Sequence, residues 1–165
     1  MNPDQKILAN VHRMLHERKI DDIDFCSLKE NAEIHTAHLA FYYINSNLTI
    51  KQARYIEENY GKKKTLCIFN GTSTCQARVL LRSLKIECFC IDFFFYVPID
   101  YQNNLQYRLL NNEQKAEIKS TFNHKYLPRI HDQDVIARYY GAKIGDIFEI
   151  TRCDTVYYRI VISAA

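Results

Sequence analysis

The stretch Leu127-Pro128-Arg129-Ile130-His131-Asp132-Gln133-Asp134-Val135-Ile136-Ala137-Arg138-Tyr139-Tyr140-Gly141-Ala142-Lys143-Ile144-Gly145-Asp146, continued to Tyr158-Arg159, decides how the last third of the chain folds. A proline breaks the entry, a short helix follows, and two glycines lead into two strands with arginine near their ends. Asp132 is expected to cap the helix, because a carboxylate accepts the backbone N–H groups that a first turn leaves unpaired. Gly141 stands where the helix should end in the left-handed conformation, which a residue with a Cβ enters only at a cost. Gly145 supplies a second permissive turn, and 146–152 reads as a strand.

Upstream of that stretch the chain has room for one ordinary domain or two small ones, at 165 residues. An apolar content of 47% is that of a folded globular protein. The net charge of +3 is too small to argue nucleic-acid binding by itself, so any basic patch has to be local. Residues 1–22 alternate charged and apolar positions and do not read as a signal peptide. The longest apolar run, 91–99, is interrupted by Asp92 and Pro98 and is too short to span a bilayer. Six cysteines at 26, 67, 75, 88, 90 and 153 include no Cys-x-x-Cys pair and are expected to be buried free thiols in a reducing compartment.

The element order read along the chain is α/β at first and α+β later. A helix is expected over 3–19, with Ile7, Leu8, Val11, Met14 and Leu15 on one face and Asn2 as cap. Ser27-Leu28-Lys29-Glu30 has the form of a capping box, and a strand is expected over 36–44. Thr49-x-x-Gln52 opens a helix that ends at Gly61, 65–69 reads as a short buried strand, and Ser73-x-x-Gln76 opens a second helix with Ala77, Leu80, Leu81 and Leu84 inward. A long strand is expected over 86–97, a connector over 96–106, and a third helix from its cap at Asn111 to Phe122. Strands alternating with helices imply an α/β unit. No internal repeat is evident.

The order and spacing of the residues over 110–162 resemble the C-terminal domain of the DNA-directed RNA polymerase subunit called H in archaea, which also ends the fifth subunit shared by the eukaryotic polymerases. The long first helix followed by an α/β unit is similar to the whole eukaryotic subunit, on element order and on segments such as Leu66-Cys67-Ile68-Phe69 and Ile86-Glu87. The family pattern has Asp-Pro before the short helix, a longer polar hairpin loop and a His-containing Val-Pro segment. Here Asp134 precedes Val135, only 153–157 link Arg152 to Tyr158, and no such segment occurs near 100–106. These departures imply a trimmed member, such as one encoded by a large DNA virus or another compact genome.

The resemblance implies an α/β jaw-like domain over 1–97 and a small α+β assembly domain over 98–165. It implies a non-catalytic subunit of a multisubunit polymerase, without cofactor or small-molecule substrate, and with no membrane association. Its partners would be the largest polymerase subunit, other subunits and downstream duplex DNA, in the nucleus of a cell or in a virion and host cytoplasm. A free-standing nucleic-acid-binding transcription factor carrying the same domain is the alternative.

Candidate residues divide accordingly. Lys62, Lys63 and Lys64 follow a helix end, and Arg78, Arg82 and Lys85 are spaced along the next helix; they are either a solvated face or phosphate contacts. Arg129, Arg138, Tyr139, Tyr140, Gly141, Gly145, Arg152, Tyr158 and Arg159 are the assembly candidates, since arginine flanked by tyrosine has the composition of an interface. His12 and His16 have chelating spacing but lack the Glu of a metalloprotease motif, so no metal site is expected. Lys85-Ile86-Glu87 and Asp92 run in the wrong order for a nuclease centre. Asn47-Leu48-Thr49 and Asn70-Gly71-Thr72 match glycosylation acceptors but are not expected to be used in an intracellular chain.

Overall fold

The computed structural model describes residues 3–20, 33–35, 39–60, 64–101, 105–122 and 124–164. The chain forms two compact units, 1–96 and 97–165, each built on a mixed four-stranded sheet.

In the first unit α1 (Pro3–Glu17) buries Ile7, Val11, Met14 and Leu15, the face its spacing foretold. Its end is anchored by Arg18, whose side chain is only 4% exposed, pairs with Glu87 at 2.8 Å and lies 5.8 Å from the Phe89 ring. Asn10 Nδ2 donates to the Phe94 carbonyl at 2.8 Å. The sheet runs β1 (Glu33–His35), β2 (Ala40–Ile44), β3 (Thr65–Phe69), β4 (Glu87–Cys90), with β1 antiparallel and the other pairs parallel. The expected strand over 36–44 therefore starts at Ala40, while 36–38 and the 27–30 capping box lie outside the described residues. Every residue of β2 and β3 is buried, which is why both read as continuous apolar runs rather than alternating ones.

The crossovers are α2 (Ile50–Tyr60) and α3 (Cys75–Ser83), whose Ala53, Ile56, Ala77 and Leu81 pack on Tyr42, Ile44, Cys67 and Phe69. The Thr49–Gln52 box forms, with the Gln52 Oε1 accepting from the Thr49 backbone N–H at 2.7 Å. In α3 the cap is Thr74 rather than Ser73: its hydroxyl accepts from the Ala77 N–H at 3.2 Å, while Ser73 makes a parallel bridge to Leu48. The two βα segments are a structural repeat that the sequence hides. Asn45 and Asn70 follow β2 and β3 at an offset of 25 residues and share a 2.9 Å hydrogen bond, and Asn47 Oδ1 accepts from the Thr72 N–H at 2.8 Å.

The expected long strand over 86–97 is not formed. After Cys90 the chain coils into a 3-10 turn, Ile91–Phe94, and a second one follows at Pro98–Tyr101. Ile91 and Phe94 are both buried, a spacing of three that suits this tighter helix. The Phe89, Phe93 and Phe94 rings cluster at 4.7, 5.5 and 5.3 Å, which holds the chain folded back.

In the second unit the sheet order is β5 (Leu105–Leu109), β7 (Ile147–Arg152), β8 (Thr155–Ile162), β6 (Arg129–His131), with only the β6–β8 pair parallel. One face packs α5 (Val135–Tyr140) over Ile130, Phe148, Ile150 and Val161. The other takes Leu110, Leu127 and Ile147, with Ile118 of α4 (Asn112–Thr121) against them. The predicted Asn111 cap is present as a full capping box with Gln114. Lys115 then ties α4 to Asp146 at 2.8 Å.

The cap of α5 is Asp134, two residues beyond the expected Asp132. Asp134 Oδ1 accepts from the Ile136 N–H at 2.9 Å, whereas Asp132 Oδ1 accepts from Ala164 N–H at 2.8 Å. Both carboxylates satisfy backbone donors, and only the tertiary path of the chain assigns which. Gly141 ends the helix at φ 63, and Gly145 turns at φ 90. The hairpin closes tighter than the sequence suggested: Arg152 pairs directly with Thr155, leaving Cys153 and Asp154 as the turn, with Cys153 at φ 50. The expectation of uniformly buried thiols also needs correcting. Cys67 is buried, Cys88 and Cys90 are half-buried, Cys75 and Cys153 are exposed, and Cys26 lies outside the described residues.

Three substitutions test this account. Gly71→Ala drives a Cβ into Asn47 Oδ1 at a backbone φ of +125. It should cost about 1–3 kcal/mol, read as faster amide exchange in β2 and β3. Asp134→Ala should cost about 1 kcal/mol of α5 stability, seen as exchange at Ile136 and Arg138. Asp132→Ala should leave those amides protected, and the reverse pattern would restore Asp132 as the cap.

Candidate assembly and nucleic-acid surfaces

The nine assembly candidates all fall in the second unit, but they do not form one patch. Tyr158 pairs with Glu149 and Arg159 with Phe148. Successive strand side chains point to opposite faces, so Arg159 lies on the α5 side of the sheet and Tyr158 on the other. Tyr158 packs beside Leu110, Leu127 and Ile147, its ring 6.2 Å from that of Phe122.

On the α5 side the tyrosines next to Arg138 turn inward. Tyr139 is 1% exposed. The Tyr140 ring lies 5.5 Å from Tyr139 and 5.6 Å from Phe148, and its hydroxyl donates to the Tyr107 carbonyl at 3.0 Å. The Arg-Tyr-Tyr-Gly composition is thus largely a core signature: the rings brace α5, and Gly141 frees the chain to leave it. Arg159 stands near Tyr107, whose phenol is pushed up by burial first and then by Tyr157 and Asp134, with the Arg159 charge working in the opposite direction. Arg138, Gly141 and Gly145 are half-buried, while Arg129 on β6, Arg152 at the hairpin end and Arg159 are exposed. Surface residues that carry no sequence signal are apolar: Phe122, Tyr126, Ile144 and Val156 are all exposed, Tyr126 at 84%. Scattered apolar residues outside a periodic pattern are ordinary surface, so nothing in the sequence sets these four apart.

The basic candidates occupy the first unit. Lys62 and Lys63 lie outside the described residues. Lys64 is exposed immediately before β3, Arg78 and Arg82 are exposed along α3, and Lys85, at φ 59, sits in the turn before β4. A helix that crosses back between parallel strands ends beside the starts of those strands. Arg82 in the last turn of α3 therefore shares the N-terminal edge of the sheet with Lys64 and Lys85, while Arg78 stands one turn away. Glu57 and Glu58, near the end of α2, are exposed toward the same edge, so the positive charge there is interleaved with negative.

The other chemistry weighed from the sequence is accounted for locally. Glu87 is engaged by Arg18, and Asp92 Oδ2 lies 3.5 Å from the Cys90 thiol. Cys67 stands opposite Cys88, and its thiol is pushed well up by its hydrogen bond with Cys88 and by burial. Among the described residues, no group of three or more His, Cys, Asp or Glu side chains converges as a metal site requires. An open depression of about 490 Å³ in the second unit is lined by Ile99, Asp100, Leu105, Gln106, Thr151 and Cys153.

Comparison with known proteins bears on the second unit above all. Residues 99–161 match the family described as RNA polymerase Rpb5, C-terminal domain. DNA-directed RNA polymerase V subunit 5A of Arabidopsis thaliana is 31% identical over 81 residues, covering 48% of this chain and 36% of that protein. DNA-directed RNA polymerases IV and V subunit 5B of the same plant is 30% identical over 97 residues, 54% of this chain and 44% of that one. DNA-directed RNA polymerase subunit Rpo5 of Methanothrix thermoacetophila is 42% identical over 43 residues, 23% of this chain and 55% of that one. The chain spans between about a third and just over half the length of these curated relatives. Residues 99–161 thus carry a match to the RNA polymerase Rpb5 C-terminal domain family, and the chain is similar over part of its length to archaeal and plant fifth subunits, the group that its motif resembles.

Proposed function

We propose that the chain is a non-catalytic subunit of a multisubunit DNA-directed RNA polymerase. Residues 98–165 act as the assembly domain, docked on the largest subunit, and 1–97 contribute to the jaw around downstream DNA. The observation that carries this reading is the coincidence of the matched stretch, 99–161, with the compact second unit, 97–165. A whole folded module is shared with polymerase subunits rather than a stray motif. The end of α5 offers Arg138, beside the left-handed Gly141, and the two hairpin strands offer Arg152 at the end of β7 and Arg159 on β8 as charged anchors. Arg129 and Tyr158 lie away from that group and belong to a second contact or to none.

Affinity purification of the tagged chain tests the assembly reading. Large polymerase subunits should copurify in stoichiometric amounts. Gly141→Val forces a branched side chain into a left-handed position, at a cost of about 1 kcal/mol or more, and should reduce recovery of the complex. Undiminished incorporation of that variant would remove α5 from the docking surface.

The DNA role rests on Lys64, Arg78, Arg82 and Lys85, with Lys62 and Lys63 as further members of the basic run. Lysine and arginine at phosphates release counterions, so each lost contact should lower the salt slope of complex retention by about 0.9. Neutralising Lys64, Arg78 and Arg82 should leave assembly intact and make transcribing complexes dissociate more readily as salt rises, without altering sequence preference. Equal slopes for wild type and variant across a salt series would reduce this edge to a solvated face.

A further inference from the structure

A second cluster in the first unit lies where β1 meets α2. The rings of Tyr42 on β2 and of Tyr55 and Tyr60 on α2 form a nearly equilateral triangle, with centroids 6.0, 6.2 and 6.4 Å apart. Glu33 on β1 stands opposite Tyr42 in the strand register. Its Oε2 accepts from the Tyr60 hydroxyl at 2.5 Å and its Oε1 from the Tyr55 hydroxyl at 3.2 Å. Tyr42 is the floor at 7% exposure, whereas Tyr55 is 43% exposed and Glu33 is open to solvent.

An aromatic ring attracts a cation at its negative π face, and the carboxylate adds a full negative charge beside the three rings. The field of Glu33 is felt across the cluster. Burial is the first cause of the raised titration of the Tyr42 phenol, and the Glu33 charge is the second. The Tyr60 phenol is likewise raised by burial, then by its hydrogen bond to Glu33. The two hydroxyl–carboxylate bonds also orient Tyr55 and Tyr60 in advance, which spares a ligand part of the entropic cost of ordering them.

We propose that Tyr42, Tyr55, Tyr60 and Glu33 form a binding site for an alkylammonium group, presented as a lysine side chain, methylated or not, by a basic polypeptide segment. A cation set over the triangle about 5 Å from each centroid is within the roughly 6 Å reach of all three rings at once. The compact ammonium suits a three-sided site better than a planar guanidinium, which prefers to stack on one face. This site is independent of the polymerase reading and stands or falls without it.

The test uses the full chain with tyrosine rings isotope-labelled for NMR. It is titrated with tetramethylammonium chloride against matched sodium chloride. Two short peptides, carrying lysine or trimethyl-lysine at one position, are titrated in parallel. Saturable shifts at Tyr42, Tyr55 and Tyr60 are expected with tetramethylammonium and with at least one peptide. Tyr55→Leu should weaken binding about two- to five-fold, as loss of one exposed ring implies, and Glu33→Gln should weaken it as well. Tyr55→Phe keeps the ring and should bind nearly as the wild type does, which separates lost recognition from lost folding. Tighter binding of the trimethylated peptide would identify a methyl-lysine reader, and equal binding a general lysine site. Linear, salt-like shifts identical in both chlorides would overturn the proposal. So would tetramethylammonium binding that survives both Tyr55→Leu and Glu33→Gln unchanged.

Discussion

The pairing of β7 with β8 is the constraint on which the second unit depends. These are the two inner strands of its sheet, and each hydrogen-bonds on both edges. Phe148, Ile150 and Val161 point from them into the α5 face and are essentially inaccessible. Burial of side chains this size stabilises by about 1.5–3 kcal/mol each. A slip of one residue in either strand would carry its buried side chains to the opposite face, so register cannot drift. It is set at both ends: Gly145 N–H donates to the Val161 carbonyl at 2.9 Å and Val161 N–H to the Asp146 carbonyl at 2.8 Å, while the two-residue turn after Arg152 closes the other end. β5, β6, α4 and α5 then take their places relative to this pair.

Asp146 shows how few groups couple those elements. One carboxylate oxygen accepts the Lys115 ammonium from α4, and the other accepts the Lys143 N–H in the turn after Gly141. Lys115 and Asp146 side chains are 19% and 18% exposed, so the bond is largely shielded from water and is worth more than an exposed pair. α4 has no fully buried residue of its own. Its attachment therefore rests on this ion pair, its capping box and partial burial of Ile118, which makes it the most easily detached helix of the unit.

The first unit solves a different problem, since parallel strands need crossovers that cover the sheet. It uses the same βα segment twice, with an Asn after each strand and a Thr at each helix start. The rest of its surface carries two features of opposite sign: a mixed but basic-leaning edge at Lys64, Arg82 and Lys85, and the Tyr–Glu cluster at β1.

The sequence by itself determined the elements whose cause is local. The α1 face, the Thr49–Gln52 box, the Asn111 cap, the left-handed Gly141 and the apolar β3 each depend on side chains within a few residues of one another, and all appear where the pattern places them. Tertiary structure alone decided between locally equivalent choices. Asp132 and Asp134 are both competent caps, and the path of the C-terminal strand engages Asp132 with Ala164 and leaves the helix to Asp134. Ser73 and Thr74 are likewise both competent, and the Leu48 bridge takes Ser73. The run after Cys90 is apolar enough for a strand, but packing of Phe89, Phe93 and Phe94 coils it instead. The tyrosines beside Arg138 could serve an interface or a core by composition; Tyr139 is buried and Tyr140 packs on Phe148, a distinction composition does not carry. Tyr42, Tyr55, Tyr60 and Glu33 are scattered along the sequence and carry no motif, because only strand register and helix packing bring a carboxylate and three rings to one place.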